Sequence, residues 1–264
     1  MSSSNRPVAL VTGASVGIGA ALAREFAHHG HDLVLVARRT EAMVRLAEEL
    51  GATGAAATVI PSDLGRPGAA ATLAHEVASR GIAIDVLVNN AGLGAAGRFD
   101  RIETRRIGEM LQVNIVALTE LTRLILPGMV ARGRGKIMLV ASIAGFSPGP
   151  NMAVYFASKA YVLSFGEALA YELGGTGVGV TVLCPGATDT EFFEVAGSIG
   201  TSVGRRLRRM MSAADVARIG YQALAAGQKV AIAGPMNRVL AASGRYLPRR
   251  IVMPIANMMM SEER

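Results

Sequence analysis

At 264 residues the chain fits one large domain or two small ones, and it is long enough to bury a full core. Hydrophobic residues make up 51% and charged residues 18%, with 31 glycines, which excludes a disordered or fibrous protein. A single cysteine, Cys184, excludes an internal disulfide framework. MSSSNRP runs straight into an apolar segment without a secretory signal, so a reducing, cytoplasmic setting is expected.

The formal net charge is +7, and only Lys136, Lys159 and Lys229 among the basic residues are lysines. The clustered arginines are Arg205, Arg206, Arg208 and Arg209, then Arg249 and Arg250, and no interleaved aromatics or binding motif accompany them. No nucleic-acid partner is therefore expected; a basic balance also suits phosphorylated or acidic ligands. The uncharged stretch 137–158 is broken by Gly145, Pro148, Gly149 and Pro150, and the apolar run 251–260 falls short of the about 20 residues that a membrane span requires. A peripheral membrane contact through the tail stays open. His28, His29, His31 and His75 have no acidic or thiol ligands at metal spacing, so no metal is expected.

PVALV at 7–11 reads as a buried strand. The turn Thr12-Gly13-Ala14-Ser15-Val16-Gly17-Ile18-Gly19 follows, then a helical pattern that ends at Gly30. Strand, glycine-rich turn and helix is the arrangement in which backbone N–H groups and a helix N-terminus hold a pyrophosphate. The spacing G-x-x-x-G-x-G differs from the common G-x-G-x-x-G, and a turn made glycine-rich for packing alone would read the same way. DLVLV at 32–36 is a second strand that closes in Ala37-Arg38-Arg39. An acid at this strand end would hold the ribose 2′-hydroxyl of NAD. A guanidinium there instead favours a 2′-phosphate through charge-assisted hydrogen bonds, so Arg38 points to NADP(H). Asp32 lies at the wrong end of the strand to replace the acid, and Arg39 can equally be a solvated helix-start residue.

The alternation continues with a helix over 41–50, a strand over 55–60 followed by Asp63 and Leu64, a helix over 69–80 and a strand over 84–88 running into Asn89-Asn90-Ala91-Gly92. A long helical region, bent or interrupted, is predicted over 101–132 with Asn114 inside it. Asn is unfavourable mid-helix because its side chain competes for backbone hydrogen bonds, so it either faces solvent or does something local. KIMLV at 136–140 is a fifth strand and delivers Ser142. A helix over 152–173 carries Tyr155 and Lys159, whose spacing of four puts phenol and ammonium on one face. A fixed positive charge favours a phenolate, and a Ser hydroxyl aimed at the same point can hold a carbonyl oxygen. A sixth strand over 178–183 turns at Cys184-Pro185-Gly186, where Cys184 reads as a small core residue rather than a reactive thiol. The glycine-spaced segment 191–212 suits a substrate lid or an ordinary surface loop. A helix over 213–226 with Ser212 as N-cap, a seventh strand over 229–233 and a methionine-rich extension over 235–264 complete the chain. The extension can line an apolar substrate site, pack on a partner subunit or touch a membrane. No repeat or linker appears, so a single domain spanning 1–264 is expected: an α/β, Rossmann-type doubly wound fold with a seven-stranded parallel sheet flanked by helices.

Over 7–233 the chain resembles the short-chain dehydrogenase/reductase family, in its compact branch. The motifs stand in that family's order: Thr12-Gly13-x-x-x-Gly17-x-Gly19, Asn89-Asn90-Ala91-Gly92, Asn114, Ser142, Tyr155-x-x-x-Lys159 and Pro185-Gly186, with Ser142 thirteen positions before Tyr155. The resemblance implies an NADPH-dependent, reversible carbonyl reductase in which Tyr155 is the general acid. Lys159 lowers the Tyr155 pKa and bonds the nicotinamide ribose, Ser142 orients the substrate oxygen, and Asn114 holds a water that links Lys159 to solvent. Cofactor contacts would come from Gly13, Ser15, Gly17, Ile18, Gly19, Arg38, Asp63, Leu64, Asn90, Ala91, Gly92, Tyr155, Lys159, Pro185, Gly186, Thr188 and Thr190. Thr188 stands where the family often has Val or Ile, which leaves open which threonine hydroxyl meets the carboxamide. The resemblance also implies a homodimer or homotetramer assembled through the helices near 101–132 and 152–173. The apolar tail suggests a hydrophobic carbonyl or alcohol substrate. Two other readings remain: a non-catalytic NADP-binding sensor, which has no need of Ser142, Tyr155, Lys159 and Asn114 together, and a reductase working at a lipid surface.

Overall fold

Continuous Val/Leu/Ile segments buried on both faces pair side by side, because helices covering both sides leave no solvated face to encode. The fold comes from a computed structural model and is described for residues 6–189 and 211–260. Its strands are β1 (Val8–Thr12), β2 (Asp32–Ala37), β3 (Ala57–Pro61), β4 (Val86–Asn89), β5 (Gly135–Val140), β6 (Val178–Cys184) and β7 (Val230–Ile232). Its helices are α1 (Gly17–His28), α2 (Thr40–Gly51), α3 (Ala69–Ser79), α4 (Thr104–Leu111), α5 (Leu118–Ala131), α6 (Ala153–Glu172), α7 (Ala213–Ala225), α8 (Pro235–Tyr246) and α9 (Arg249–Met260).

The sheet order is β3-β2-β1-β4-β5-β6-β7, with every neighbouring pair parallel. The chain winds outward from β1 to β3, returns to the other side of β1 and winds outward again to β7. This is the doubly wound, Rossmann-type sheet the sequence predicts. In such sheets ligands bind beyond the strand carboxyl ends where the order reverses, here between β1 and β4.

Alternate residues of each strand feed opposite cores. Ala9, Val11, Met138 and Val140 face one cluster with Leu22 and Phe26 of α1, Met43 of α2 and Val216 and Leu224 of α7. Leu10, Leu87, Ile137 and Leu139 face the other, with Leu73 of α3, Leu121 of α5 and Val162 of α6. Each of these side chains larger than alanine contributes about 1.5–3 kcal/mol relative to leaving it in water.

Strand and helix limits fall within a residue or two of those predicted for most elements. Ser212 caps α7, its Oγ accepting from the Asp215 N–H at 3.0 Å. Asp32 sits at the amino end of β2, accepting from Ala56 N–H at 2.9 Å with Arg6 at 3.6 Å, far from the strand's ligand-binding end. The 101–132 region is interrupted: α4 and α5 are joined by a π-helical turn, Gln112–Ala117, that contains Asn114. The stretch Thr104–Ala131 has the length and apolarity of a bilayer span, yet its Leu118, Leu121 and Met129 are buried in the core. The tail beyond β7, for which no element is predicted from the sequence, forms α8 and α9. The lid expected over 191–212 lies outside the described residues except for Met211 and Ser212, and the arginines at 205, 206, 208 and 209 lie outside them too.

Candidate active site

The carboxyl ends of β1, β4, β5 and β6 deliver the turns singled out in the sequence to one cleft of about 760 Å³. That size falls within the roughly 300–1,000 Å³ typical of small-molecule sites.

Two turns at the reversal point are locked to each other. Thr12 Oγ1 accepts from the Asn90 and Ala91 N–H groups, both at 3.0 Å, and Asn90 Nδ2 donates to Thr12 O at 2.9 Å. This close approach dictates the glycines. A Cβ on Gly13, whose φ is +67°, would stand 2.8 Å from Asn90 Nδ2, and one on Gly19 would overlap the Gly13 carbonyl. The result is a cradle with backbone N–H groups at the start of α1, next to Ser15 and Ile18, open to an anion. Arg38 and Arg39 are exposed at the end of β2 and line the same cleft. Asp63 and Leu64 form its far rim. A cradle without side chains, flanked by two guanidinium groups and no carboxylate at the end of β2, fits a phosphorylated dinucleotide.

At the other end of the cleft Ser142, Tyr155 and Lys159 converge. Ser142 begins a short 3₁₀ turn, Ile143–Phe146; its Oγ accepts from Ala144 N–H at 3.1 Å and is hydrogen-bonded to the Tyr155 hydroxyl. That turn is pressed onto α6, since a Cβ on Gly145 would lie 2.8 Å from the Lys159 carbonyl. Lys159 is buried, its Nζ donating to Val140 O at 2.9 Å and standing 5.9 Å from the centre of the Tyr155 ring.

The electrostatics differ from the simple expectation of a lysine-stabilised phenolate. Burial pushes the Tyr155 phenol up to about 12, only partly opposed by the hydrogen bond from Ser142. Burial also pulls the Lys159 ammonium down to about 8. At neutral pH this leaves a protonated phenol hydrogen-bonded to a serine hydroxyl, which suits proton donation rather than proton abstraction. Cys184 is fully buried, and its thiol is pushed up to about 12 by the same desolvation, so it is no nucleophile near neutrality.

Asn114 does not line the cleft; it stands behind the wall and is almost fully buried. Its Oδ1 accepts from Leu93 N–H at 2.8 Å, and its Nδ2 donates to Leu93 O at 2.9 Å and Ser158 Oγ at 3.0 Å. Ser158 in turn donates to Tyr155 O at 2.7 Å. The π turn thus aims Asn114 at the 90–93 turn and ties that turn to α6. Both amide donors are engaged, so a water held by Asn114 would have to donate to an acceptor, the second lone pair of Oδ1 or the backbone carbonyl.

Pro185, Gly186 and Thr188 line the cleft, Thr188 Oγ1 donating to Gly186 O at 3.1 Å, whereas Thr190 lies outside the described residues. A substrate wall is one of the three roles the sequence leaves open for 235–264, but which of its residues form it is not legible there. Asn237 and Leu240 of α8, Leu247 just after it and Val252 of α9 line the cleft together with Leu93, Met152 and Phe156. A Cβ on Gly186 would collide with Asn237, so that glycine was the one sequence signal for an element packing there. Of the tail's methionines, Met236, Met253 and Met258 are exposed and do not line the cleft.

A dinucleotide cradle leading to a Ser–Tyr–Lys cluster defines an oxidoreductase acting on CH–OH or C=O groups. The chain belongs to the short chain dehydrogenase family, whose model matches residues 7–198. A ketoacyl reductase of Nostoc sp. is 37% identical over 177 residues, 67% of this chain and 62% of its own length. The chain thus spans somewhat less than two thirds of that relative. A 1-deoxy-11-beta-hydroxypentalenate dehydrogenase of Streptomyces exfoliatus is 36% identical over 219 residues, 82% of this chain and 78% of its own. Among solved structures, a short-chain dehydrogenase from Sphingobium yanoikuyae in complex with NADPH superposes with a TM-score of 0.80 at 34% identity, covering 90% of this chain and 92% of its own.

Proposed function

We propose that this protein is an NADPH-dependent carbonyl reductase, reversible as an alcohol dehydrogenase, and that its substrate is apolar. The observation that carries the reading is the Tyr155 hydroxyl hydrogen-bonded to Ser142 at the inner end of a glycine cradle flanked by Arg38 and Arg39. The NADPH bound by the Sphingobium yanoikuyae relative supports the same cofactor here. It would be held by the N–H groups around Gly13, Ser15, Gly17, Ile18 and Gly19, by Arg38 at the 2′-phosphate, by Asp63, Leu64, Asn90, Ala91 and Gly92 along the adenosine half, and by Pro185, Gly186 and Thr188 with Lys159 toward the nicotinamide.

When bound, the reduced nicotinamide supplies a hydride to the carbonyl carbon. Ser142 and Tyr155 hold the substrate oxygen, and Tyr155 Oη delivers its proton there as negative charge develops. Lys159, still mostly protonated at neutral pH, stabilises the phenolate left behind. Asn114, through Leu93 and Ser158, holds both sides of this cluster in register. Leu93, Met152, Phe156, Leu240, Leu247 and Val252 exclude water and favour a hydrophobic ketone.

We read residues 1–264 as one catalytic unit in which 235–264 completes the substrate wall, working in a reducing compartment as the buried free Cys184 suits. Exposed Leu111, Val116, Leu124 and Tyr161 on the helices around 101–132 and 152–173 support a homodimer or homotetramer built on that face. The test of function is Tyr155→Phe assayed with NADPH and NADH side by side over a ketone panel. Turnover should fall at least a hundredfold while NADPH binding persists; undiminished turnover in the variant would end the assignment.

A further inference from the structure

Exposed apolar side chains are distributed unevenly. Sixteen large hydrophobic residues are exposed among those described, and eight of them fall between Met236 and Met258, of which Leu240 and Leu247 also line the cleft. Four of the rest (Leu111, Val116, Leu124 and Tyr161) are those assigned above to self-association, so α8 and α9 carry a second and separate apolar surface.

Helical geometry sorts it. On α8, Ala241 and Gly244 are buried toward the 143–146 turn, while Val239 and Tyr246 point away, with Arg238 and Arg245 flanking one side and Met236 and Leu240 the other. On α9, Val252 faces inward and Arg250, Ile251, Pro254 and Met258 face out. Charge is one-sided as well. Residues 235–260 contain Arg238, Arg245, Arg249 and Arg250 and no acid, the next being Glu262 and Glu263 beyond α9 in the sequence. Among the described residues, only Arg245 has a carboxylate from elsewhere in the fold within reach, Glu167 of α6 at 3.9 Å.

We propose that the outer face of α8 and α9 docks on an anionic lipid surface, with the apolar side chains at the level of the headgroups and the arginines paired to lipid phosphates. Interfacial helices combine these two features, an apolar arc and cationic side chains that snorkel to the headgroups. A second copy of the chain fits less well, because a two-fold contact through this face would set four arginines against four. The inner sides of the same helices supply Leu240, Leu247 and Val252 to the cleft, so docking brings the cleft's apolar wall next to the bilayer. On the reading that the substrate is apolar, this gives it a route from lipid to Tyr155.

The test is co-sedimentation of the full chain with vesicles of phosphatidylcholine alone and of phosphatidylcholine with one third phosphatidylglycerol. Binding is expected to the anionic vesicles at low salt and to weaken strongly at about 0.5 M salt, where the Debye length falls to a few ångströms. Each juxtamembrane arginine is worth about a fivefold change in partition, so the triple variant Arg238→Gln, Arg249→Gln and Arg250→Gln should bind roughly a hundredfold less. None of these three lines the cleft, so reduction of a water-soluble ketone should be unchanged, and this activity reports folding. A second variant, Val239→Ser with Met258→Ser, tests the apolar half and should also release the protein from vesicles. No binding to anionic vesicles at low salt would overturn the proposal, as would undiminished binding by both variants. Loss of a homo-oligomer in the triple variant, with vesicle binding unaffected, would assign this face to a second copy instead. Vesicle binding does not depend on turnover, so its failure and failure of the reductase reading are separable.

Discussion

Lys159→Met should make the protein more stable at neutral pH while abolishing turnover. Burial holds the ammonium at about 8 in the folded protein against 10.5 for an ordinary lysine, which costs the folded state about 3 kcal/mol at pH 7. Methionine of similar length removes that cost and also removes the hydrogen bond to Val140 O, a loss of about 1 kcal/mol. The net expectation at pH 7 is a gain of about 2 kcal/mol, or a Tm higher by about 5 °C for a chain of this size. Between pH 8 and 10.5 the unfolded wild-type chain binds more protons than the folded one, so wild-type stability rises with pH relative to the variant. The gap should therefore shrink toward zero by about pH 10. Tyr155 and Cys184 also titrate in this range, but they are present in both proteins and cancel in the difference to first order. The assay is a thermal melt of wild type and variant at pH 7 and pH 10 without added dinucleotide, since a ligand that binds the folded state would itself shift Tm. A variant less stable than wild type at pH 7, or a gap that does not change with pH, would refute the picture of Lys159 as a buried charge kept for function at the expense of stability.

Two further substitutions test the rest of the site. Arg38→Asp should lower kcat/KM with NADPH at least tenfold and raise it with NADH, because a carboxylate repels a 2′-phosphate and accepts from a 2′-hydroxyl. Equal cofactor preference in wild type and both Arg38→Asp and Arg39→Asp would remove the electrostatic basis for NADP(H). Asn114→Ala strips the Leu93 N–H and C=O of their side-chain partners inside the protein, and should cost about 2–3 kcal/mol, read as a Tm lower by several degrees. A Tm within a degree of wild type would show that the π turn holds its shape without that side chain.

The sheet was legible because its signal is local and repeated: seven apolar runs separated by helical patterns admit few topologies once crossovers are short and of one hand. The two ends of the cleft were legible for a different reason. Glycines at 13 and 19 and the Tyr155–Lys159 pair are short-range patterns, fixed by the close approach of two turns and by one helical repeat. Asn114 was flagged by its poor fit to a helix, and the misfit was real. What could not be read was where it would point, because that depends on a π turn whose extra residue has no compositional mark, and on Leu93 arriving from twenty-one residues away.

The direction of the Tyr155 shift illustrates why spacing alone misleads. Sequence supplies the partner charge four residues on, and charge proximity argues for a lowered phenol. It does not supply depth: Lys159 is buried and Tyr155 partly buried, and desolvation is the largest cause of the shift at each. The substrate wall was hidden for a related reason. Methionines at 253 and 258–260 drew attention in the tail, but Met253 and Met258 face outward, and the inward positions are filled by Leu247 and Val252, ordinary residues whose role follows only from which side of α8 and α9 meets the 143–146 turn. The close contact that fixes that side is Gly244, where a Cβ would come within 2.9 Å of the Phe146 carbonyl. A glycine inside a helix costs up to about 1 kcal/mol in propensity, and here, in the last turn of α8, it stands where the helix must press against the turn that carries Ser142. The same packing that closes the active site therefore decides which half of the tail is left facing outward.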